Sequence, residues 1–474
     1  MPHMFQFLIS LSPLWAALLV FILSCGVIVV SYVADCVREP IVIWWPVWIP
    51  ALTIFTFCAE FFFPQVVLAY LNLFYASAVL LTQTLPIWMS VTLAFAFWNL
   101  WVRYVRAKYL AKQNFILLEI KLPVDVLKSP LAMETFLMSL HQTGRETTFI
   151  MRYWLGQVRA QFSLEIVSIE GNVKFYIYTT DNFKKFIESS LYAHYPNIEI
   201  YESPDYTHSV GFDLSKRDMY VIDYKFANSS AYPIKTYVDY GIEDENIEEE
   251  TKIDPINHII EYLGSVGPNQ QVWLQIVIRA HKGEQPKPGT FFEKFDKWKD
   301  EAKSEVEKIR AEALPKGSDP TTVKFPNPTK GQQEKIGALE RSTFKLPFDA
   351  GVRCVYMGEK GFYSSTNISP VRTLLRPFSA PHLNSFKPTN WTTVLDYPWQ
   401  DFMDLRRNRQ KKEGFEAYKR RAFFYGPLSD NSPILVLNTE ELATMFHLPG
   451  RVSSTPGLVR VPSKKGQAPT NLPI

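Results

Sequence analysis

Three uncharged, mostly apolar stretches open the chain. Residues 7–34 form a run of 28 without a charge, residues 40–59 a second, and residues 61–102 a third of 42. A bilayer span needs about 20 apolar residues, so the first run predicts one transmembrane helix. Its length, and the lack of basic residues ahead of it, argue for an anchor over a cleavable leader. The second run opens on Trp44, Trp45 and Trp48, aromatics of the kind found at a lipid–water boundary, with Pro46 and Pro50 near its start, where a helix tolerates them. Pro64 and Pro86 divide the third run. Its last part, 85–102, predicts a span, whereas 63–83 carries Gln65, Asn72, Ser77, Thr82 and Gln83 and fits either a span or a helix lying in the interface. Three helices and a fourth optional one are therefore expected in residues 1–108, and the fourth decides the side of the N-terminus.

Beyond residue 112 the pattern becomes that of an α+β protein. Residues 115–122 (FILLEIKL) read as a strand that Pro123 stops. Ser129 and Pro130 open a helix with Glu134 in its first turn and Met133, Phe136, Leu137 and Leu140 on one face. Strands are expected at 162–169 and 173–179, joined by the turn residues Glu170-Gly171-Asn172. A helix over 182–195, capped by Asp181 and ended by Pro196, leads to a short strand at 198–201. This β-α-β-β-α-β order predicts a ferredoxin-like domain over 113–210. A weaker copy follows over 215–388. It has strands at 219–226, 272–280 and 343–357, helices at 255–263 and 368–378, and a helical insertion over 291–342 interrupted by a Pro-containing linker. Beyond Pro388 the chain reads as irregular until a strand at 434–437. There Asn438 and Glu441 form a capping pair for a helix at 439–447, closed by Pro449-Gly450. Residues 389–450 thus make a basic segment and a terminal helix, and 451–474 a Pro-rich extended tail.

Charge sharpens this division. Residues 1–102 hold only Asp35, Arg38, Glu39 and Glu60, while the rest carries 49 Lys and Arg against 44 Asp and Glu. A net +5 on that part is too balanced to announce a nucleic-acid binder. Cys25, Cys36 and Cys58 lie in the apolar block and Cys354 alone beyond it, which suits a reducing compartment. Trp98, Trp101, Arg103, Tyr104, Arg106 and Lys108 mark the exit of the last span, with the basic cluster on the cytoplasmic side. Over 405–421 eight basic residues face two acids. Arg406, Arg407, Arg409, Lys411, Lys412, Lys419, Arg420 and Arg421 are candidates for an anionic lipid or nucleic-acid surface, against the plainer reading of a solvated face. The acidic stretch 243–250 reads as a solvated loop.

Catalytic patterns are missing from the sequence. It contains no GxxxxGK[ST], no HExxH, no GxSxG and no clustered Cys and His. His141, His194 and His447 each fall at a helix end, where an imidazole commonly satisfies a terminal carbonyl. No catalytic, cofactor or metal residue is assigned, and a non-enzyme is expected. A buried His–Asp pair or a pocket with paired carboxylates would favour an enzyme instead.

Several blocks resemble a bacterial family of membrane-anchored proteins related to type IV secretion and conjugative-transfer ATPases. They are 101–122 (WVRYVRAKYLAKQNFILLEIKL), 128–143 (KSPLAMETFLMSLHQT), 152–171 (RYWLGQVRAQFSLEIVSIEG), 175–201, 437–450 (LNTEELATMFHLPG) and 460–473 (RVPSKKGQAPTNLP). The resemblance spans about residues 100–474 and is loose over 205–435. It implies a module placed before a RecA-like motor. The sequence ends at Ile474, where that motor would begin, so a separate P-loop ATPase is the expected partner. Leu442, Met445, Phe446 and Leu448 give the short helix at 439–447 an apolar side that either docks that motor, as the resemblance implies, or caps this chain's own second domain. The function expected is a non-enzymatic, multi-pass scaffold of the inner membrane whose soluble part is cytoplasmic, with a homo-oligomer as an option. The alternatives are a binding module for transported DNA or protein, or an unfamiliar membrane-surface enzyme. A reporter fused after Ile474 is expected to be active only as a cytoplasmic fusion; activity of a periplasm-only reporter at that point would overturn the orientation.

Overall fold

The structure, a computed structural model, describes residues 75–76, 79–80, 82–123, 129–243, 252–283, 285–286, 294–313, 327–389, 401–426, 428–429, 432–450 and 460–461. The expected spans at 7–34 and 40–59, most of 63–83 and of the acidic stretch, the linker and nearly all of the tail lie outside these residues. The chain divides into two compact units, 1–101 with 395–407 and 102–394 with 408–474.

Helix α1, Leu85–Ala111, begins beside Pro86 and has the length and hydropathy to cross a membrane, the one such helix among the described residues. In the larger unit the chain alternates strands and helices as β1 (Phe115–Pro123), α2 (Pro130–Leu140), α3 (Phe149–Tyr153), β2 (Gln161–Ile169), β3 (Asn172–Thr180), α4 (Lys184–His194) and β4 (Glu199–Ser203). Ser129 caps α2 as expected, its hydroxyl accepting from Leu131 N at 3.2 Å. The four strands lie in the order β4-β1-β3-β2, every neighbour antiparallel.

The chain then repeats this plan. It runs through β5 (Arg217–Phe226), α5 (Pro255–Gly264) and β6 (Gln270–Ala280) into an excursion. The excursion holds the short pair β7 (Gln285–Pro286) and β8 (Lys294–Phe295), then α6 (Lys297–Glu312) and α7 (Lys330–Phe344). It returns through β9 (Pro347–Glu359), α8 (Ile368–Thr373) and β10 (Phe386–Thr389). These strands are ordered β10-β5-β9-β6, again all antiparallel. The second strands of the two halves, β2 and β6, pair along nine residues, so segments 113–210 and 215–388 form one continuous sheet within one compact unit. The end of the chain supplies α9 (Leu405–Lys419), β11 (Leu435–Asn438) beside β9, α10 (Thr439–Met445) and β12 (Arg460–Val461) beside β1. The fold class is therefore α+β.

Four differences from the sequence reading have local causes. The expected helix at 291–313 starts only at Lys297, because the Asp296 side chain caps it there. Helix α9 occupies a region read as irregular: its buried Phe415, Ala417 and Tyr418 crowd the C-terminal end and leave no apolar stripe. Helix α3 has no buried residue and so no apolar period. Strand β10 is four residues long and contains Pro388, which an edge strand accepts because one side of its backbone needs no partner.

The two faces of the sheet are covered differently. On one face α2, α5 and α10 bury an apolar core that includes Phe136, Leu164, Ile177, Ile260 and Ile278. The other face carries apolar residues around Trp273, covered by Phe415 and Tyr418 of α9. A polar row crosses this second face one residue wide. The register sets Tyr176 opposite Glu165, Glu165 opposite Gln275, Gln275 opposite Arg353 and Arg353 opposite Asp223. Directly opposed residues share a face of the sheet, so strands that read as core each donate one polar group to the same line.

Apart from Gln275 Oε1, which has no hydrogen-bond partner among the described residues, the charged members of that row are paired within the chain. Arg353 and Asp223, both fully buried, form a two-pronged pair, Nε to Oδ1 at 2.6 Å and Nη2 to Oδ2 at 3.1 Å. The Phe423 ring lies 4.3 Å from the Arg353 guanidinium. It rests where Gly351 leaves room, since a Cβ at 351 would overlap the ring. Removing one member of such a pair leaves a buried charge, at a cost of about 3–5 kcal/mol, whereas an apolar replacement of both is often near neutral. Arg353→Met is therefore expected to lower the unfolding free energy by about that amount, and Arg353→Met with Asp223→Leu to recover most of it, as read by denaturant titration of the full chain in detergent.

Candidate functional site

The six residues expected at the membrane exit share α1. Trp98, Trp101, Arg103, Tyr104, Arg106 and Lys108 occupy its C-terminal half, ahead of a three-residue link to β1. Ile87, Phe95, Phe97 and Leu100 of the same helix are exposed. Phe97 stacks on Trp101 one turn later with ring centroids 6.2 Å apart. Lys108 Nζ lies 6.0 Å from the Tyr104 ring centroid. An exposed apolar helix that ends in aromatics and then cations has the order of groups that matches lipid, headgroup and water.

The eight basic residues at 405–421 are not one exposed patch. Arg407 pairs with Asp404 at 3.0 Å, Arg409 with Glu413 at 2.6 Å, and Arg420 with Glu416 at 3.7 Å. Lys411 pairs with Asp218 at 2.5 Å, and Lys419 Nζ reaches the Val210 carbonyl at 3.4 Å. Arg407, Lys412 and Arg420 are exposed, and Arg406, Arg409, Lys411 and Lys419 are half-buried. Arg421 must be removed from any anionic-surface set, because only 1% of its side chain is exposed. It holds Glu165 with two prongs, Nε to Oε1 at 3.0 Å and Nη2 to Oε2 at 3.2 Å, and also pairs with Asp205. Its guanidinium lies 4.0 Å from the Tyr178 ring. Tyr206 donates to Glu165 at 2.8 Å, and Gln275 donates to Glu165 at 2.9 Å and to the Tyr418 carbonyl at 3.2 Å.

The proposed motor-docking side of α10 is also corrected. Leu442, Met445, Phe446 and Leu448 are all core residues, none more than 1% exposed. Phe446 meets Phe175 edge to face at 5.8 Å. The apolar side of this short helix is covered by its own chain, so a charge at 446 would report on folding rather than docking. The capping pair is present: Asn438 Oδ1 accepts from Glu441 N at 2.8 Å, and Glu441 Oε2 from Asn438 N at 2.8 Å. Glu441 Oε1 also accepts from Ile234 N at 2.8 Å. Burial raises the Glu441 carboxyl to about 8.

Two His–Asp pairs, one on the buried His447 and one on the half-buried His281, escaped the sequence reading, because each joins residues far apart in the chain. His281 Nδ1 lies 2.5 Å from Asp349 and its Nε2 3.4 Å from Asp296. His447 Nδ1 faces the Ala443 carbonyl at 2.8 Å and its Nε2 faces Asp254 at 3.0 Å. In each case both ring nitrogens face acceptors, so both must donate, which only the charged imidazolium does. Burial by itself would lower the pKa of both rings, but the facing carboxylates outweigh it and raise both above 6.5. Such a ring is a tie, since neither nitrogen keeps a lone pair to act as a base. The signal in the sequence was slight: Asp349 pairs with Arg279 at 2.9 Å across the β6–β9 register, and charges inside otherwise apolar strands mark both.

Among the described residues no group of three or more His, Cys, Asp and Glu is arranged to hold a metal ion. A small cavity of about 180 Å³ between α6 and α7 is lined by Ala302, Val306, Leu339 and Thr343 and by exposed charges, and neither His–Asp pair borders it. Compared with known proteins, the chain matches no family profile, and no curated sequence matches it.

The two imidazolium ties give stability a direction with pH. A raised histidine contributes fully below its ordinary value of 6.5, and that contribution is lost as pH rises through the raised value. Asp254 and Asp349 are depressed: burial opposes this, but their histidine partners, and the arginines beside Asp349, outweigh it. Their contribution is present above 3.8 and lost as pH falls through the depressed value. The ties are thus strongest between 3.8 and 6.5. Denaturation midpoints of the wild type are expected to fall as pH rises above about 6.5. His447→Gln and His281→Gln should each flatten that fall, whatever their effect on stability at lower pH.

Proposed function

We propose that the chain is a membrane-anchored, non-enzymatic scaffold that presents a rigid sheet at the cytoplasmic face of the inner membrane. The observation that carries this reading is α1. It passes from exposed apolar residues through Trp98 and Trp101 to Arg103, Arg106 and Lys108, and a three-residue link after its end at Ala111 leads into β1. The earlier apolar runs of the sequence support a multi-pass anchor. The strand orders β4-β1-β3-β2 and β10-β5-β9-β6, each with its β-α-β-β-α-β chain path, support reading both halves as ferredoxin-like. The buried acids and bases are committed to one another, which suits a body that transmits position rather than performs chemistry.

The resemblance to the membrane-anchored relatives of type IV secretion and conjugation ATPases gives this scaffold its partner. That partner is a P-loop ATPase, held on a surface other than the buried side of α10. A membrane-surface enzyme would draw on the His–Asp pairs, but their doubly donating rings speak against a catalytic base. The test is affinity purification of the full chain from native membranes in mild detergent. Recovery of a P-loop ATPase is expected. Loss of the chain from the membrane pellet at alkaline pH, or steady ATP hydrolysis by the purified chain freed of contaminants, would overturn the reading.

A further inference from the structure

We propose that residues 149–155, helix α3 and the turn after it, form a second, non-spanning membrane contact that enters the lipid headgroup boundary beside the exit of α1. This rests on the reading of α1 as a span. Phe149, Ile150, Trp154 and Leu155 are 61, 63, 60 and 53% exposed, four large apolar side chains within seven residues. Helix α3 buries none of its residues, and Phe149 rests on Tyr153 with ring centroids 4.8 Å apart. A contiguous apolar surface of this kind in water marks an interaction site.

The segment is shaped and anchored for one. Thr148 caps α3, its hydroxyl accepting from Met151 N at 3.2 Å. Arg152 Nη2 donates to the Glu146 carbonyl at 3.0 Å. After the helix the chain turns at Gly156, whose φ of +64° favours glycine. It presses there so closely on α1 that a Cβ at 156 would overlap the Val105 carbonyl and Arg106 N. Val105 lies four residues after Trp101 in the same helix. The exposed aromatic segment is therefore clamped to the part of α1 that carries Arg103 and Arg106, where the helix leaves the apolar phase.

Position decides the occupant. Trp and Phe with Ile and Leu, flanked by Arg145 and Arg152 and set against Arg103 and Arg106, are the groups that seat a segment at an anionic lipid boundary. A protein partner would account for the apolar surface but not for its being clamped to the membrane exit. Lipid, by contrast, is already present there once α1 spans. The contact would give the body a second point of attachment and so fix its tilt, which one helix cannot do.

The full chain should be reconstituted in vesicles of phosphatidylcholine with about one third phosphatidylglycerol. Cys25, Cys36 and Cys58 are replaced by alanine; Cys354 is buried and stays unlabelled. An environment-sensitive fluorophore is placed on one cysteine at a time, in Leu93→Cys, Ile150→Cys, Trp154→Cys and the exposed control Ser189→Cys. Nitroxide lipids then quench at shallow or deep positions. The expected result is deep quenching at 93, shallow quenching at 150 and 154, and little at 189. Replacing Phe149 and Leu155 together with aspartate should return the signal at 154 to the level at 189. Quenching at 93 without quenching at 150 and 154 would overturn this inference and leave the span standing. Absence of quenching at all three would overturn both.

Discussion

A line of polar side chains across the middle of a buried sheet constrains everything around it. Glu165, Gln275, Arg353 and Asp223 stand opposite one another on four neighbouring strands. None of them can reach water, and an unpaired group there would cost more than a hydrogen bond returns. Arg353 and Asp223 answer each other, but Glu165 requires a cation from elsewhere, and the chain after α9 delivers Arg421. Phe415, Tyr418, Arg421 and Phe423 therefore have fixed landing places, and the covering segment has one register on the sheet. Apolar contacts alone would allow it to slide; the paired charges do not.

The same commitment of charges explains what the conspicuous side chains do. A basic run that looks like a binding surface is largely distributed over internal ion pairs. An amphipathic terminal helix that looks like a docking element completes the opposite core, with Phe446 against Phe175. His281 and His447 each end as a doubly donating cation on a carboxylate. These residues hold the sheet and the helices on its two faces together, while α1 and the segment at 149–155 keep large apolar side chains exposed.

Local signals carried much of the fold. The strand at 115–122, the Ser129–Pro130 helix start, the hairpin turn and the Asn438–Glu441 capping pair all lie in short windows, and each recurs in the structure within a residue or two. Elements stabilised from a distance were hidden. Helix α9 has its apolar residues at one end, and β10 is legible only once β5 lies beside it. For the site, the α1 residues were readable because apolar residues, aromatics and cations follow one another along a single helix. Arg421 was not, since nothing near position 421 announces Glu165. The fate of Leu442 and its neighbours was half legible: their periodicity shows an apolar side but not what covers it.

The separation between Arg421 and Glu165 is 256 residues, and it sets an order of events during synthesis. The β2–β3 hairpin can form early, yet its Glu165 has no cation until the last part of the chain emerges. The row can therefore close only at the end, when α9 and α10 arrive on opposite faces almost together. Until then the sheet must stay hydrated on one side and uncovered on part of the other, the condition in which strand edges find wrong partners.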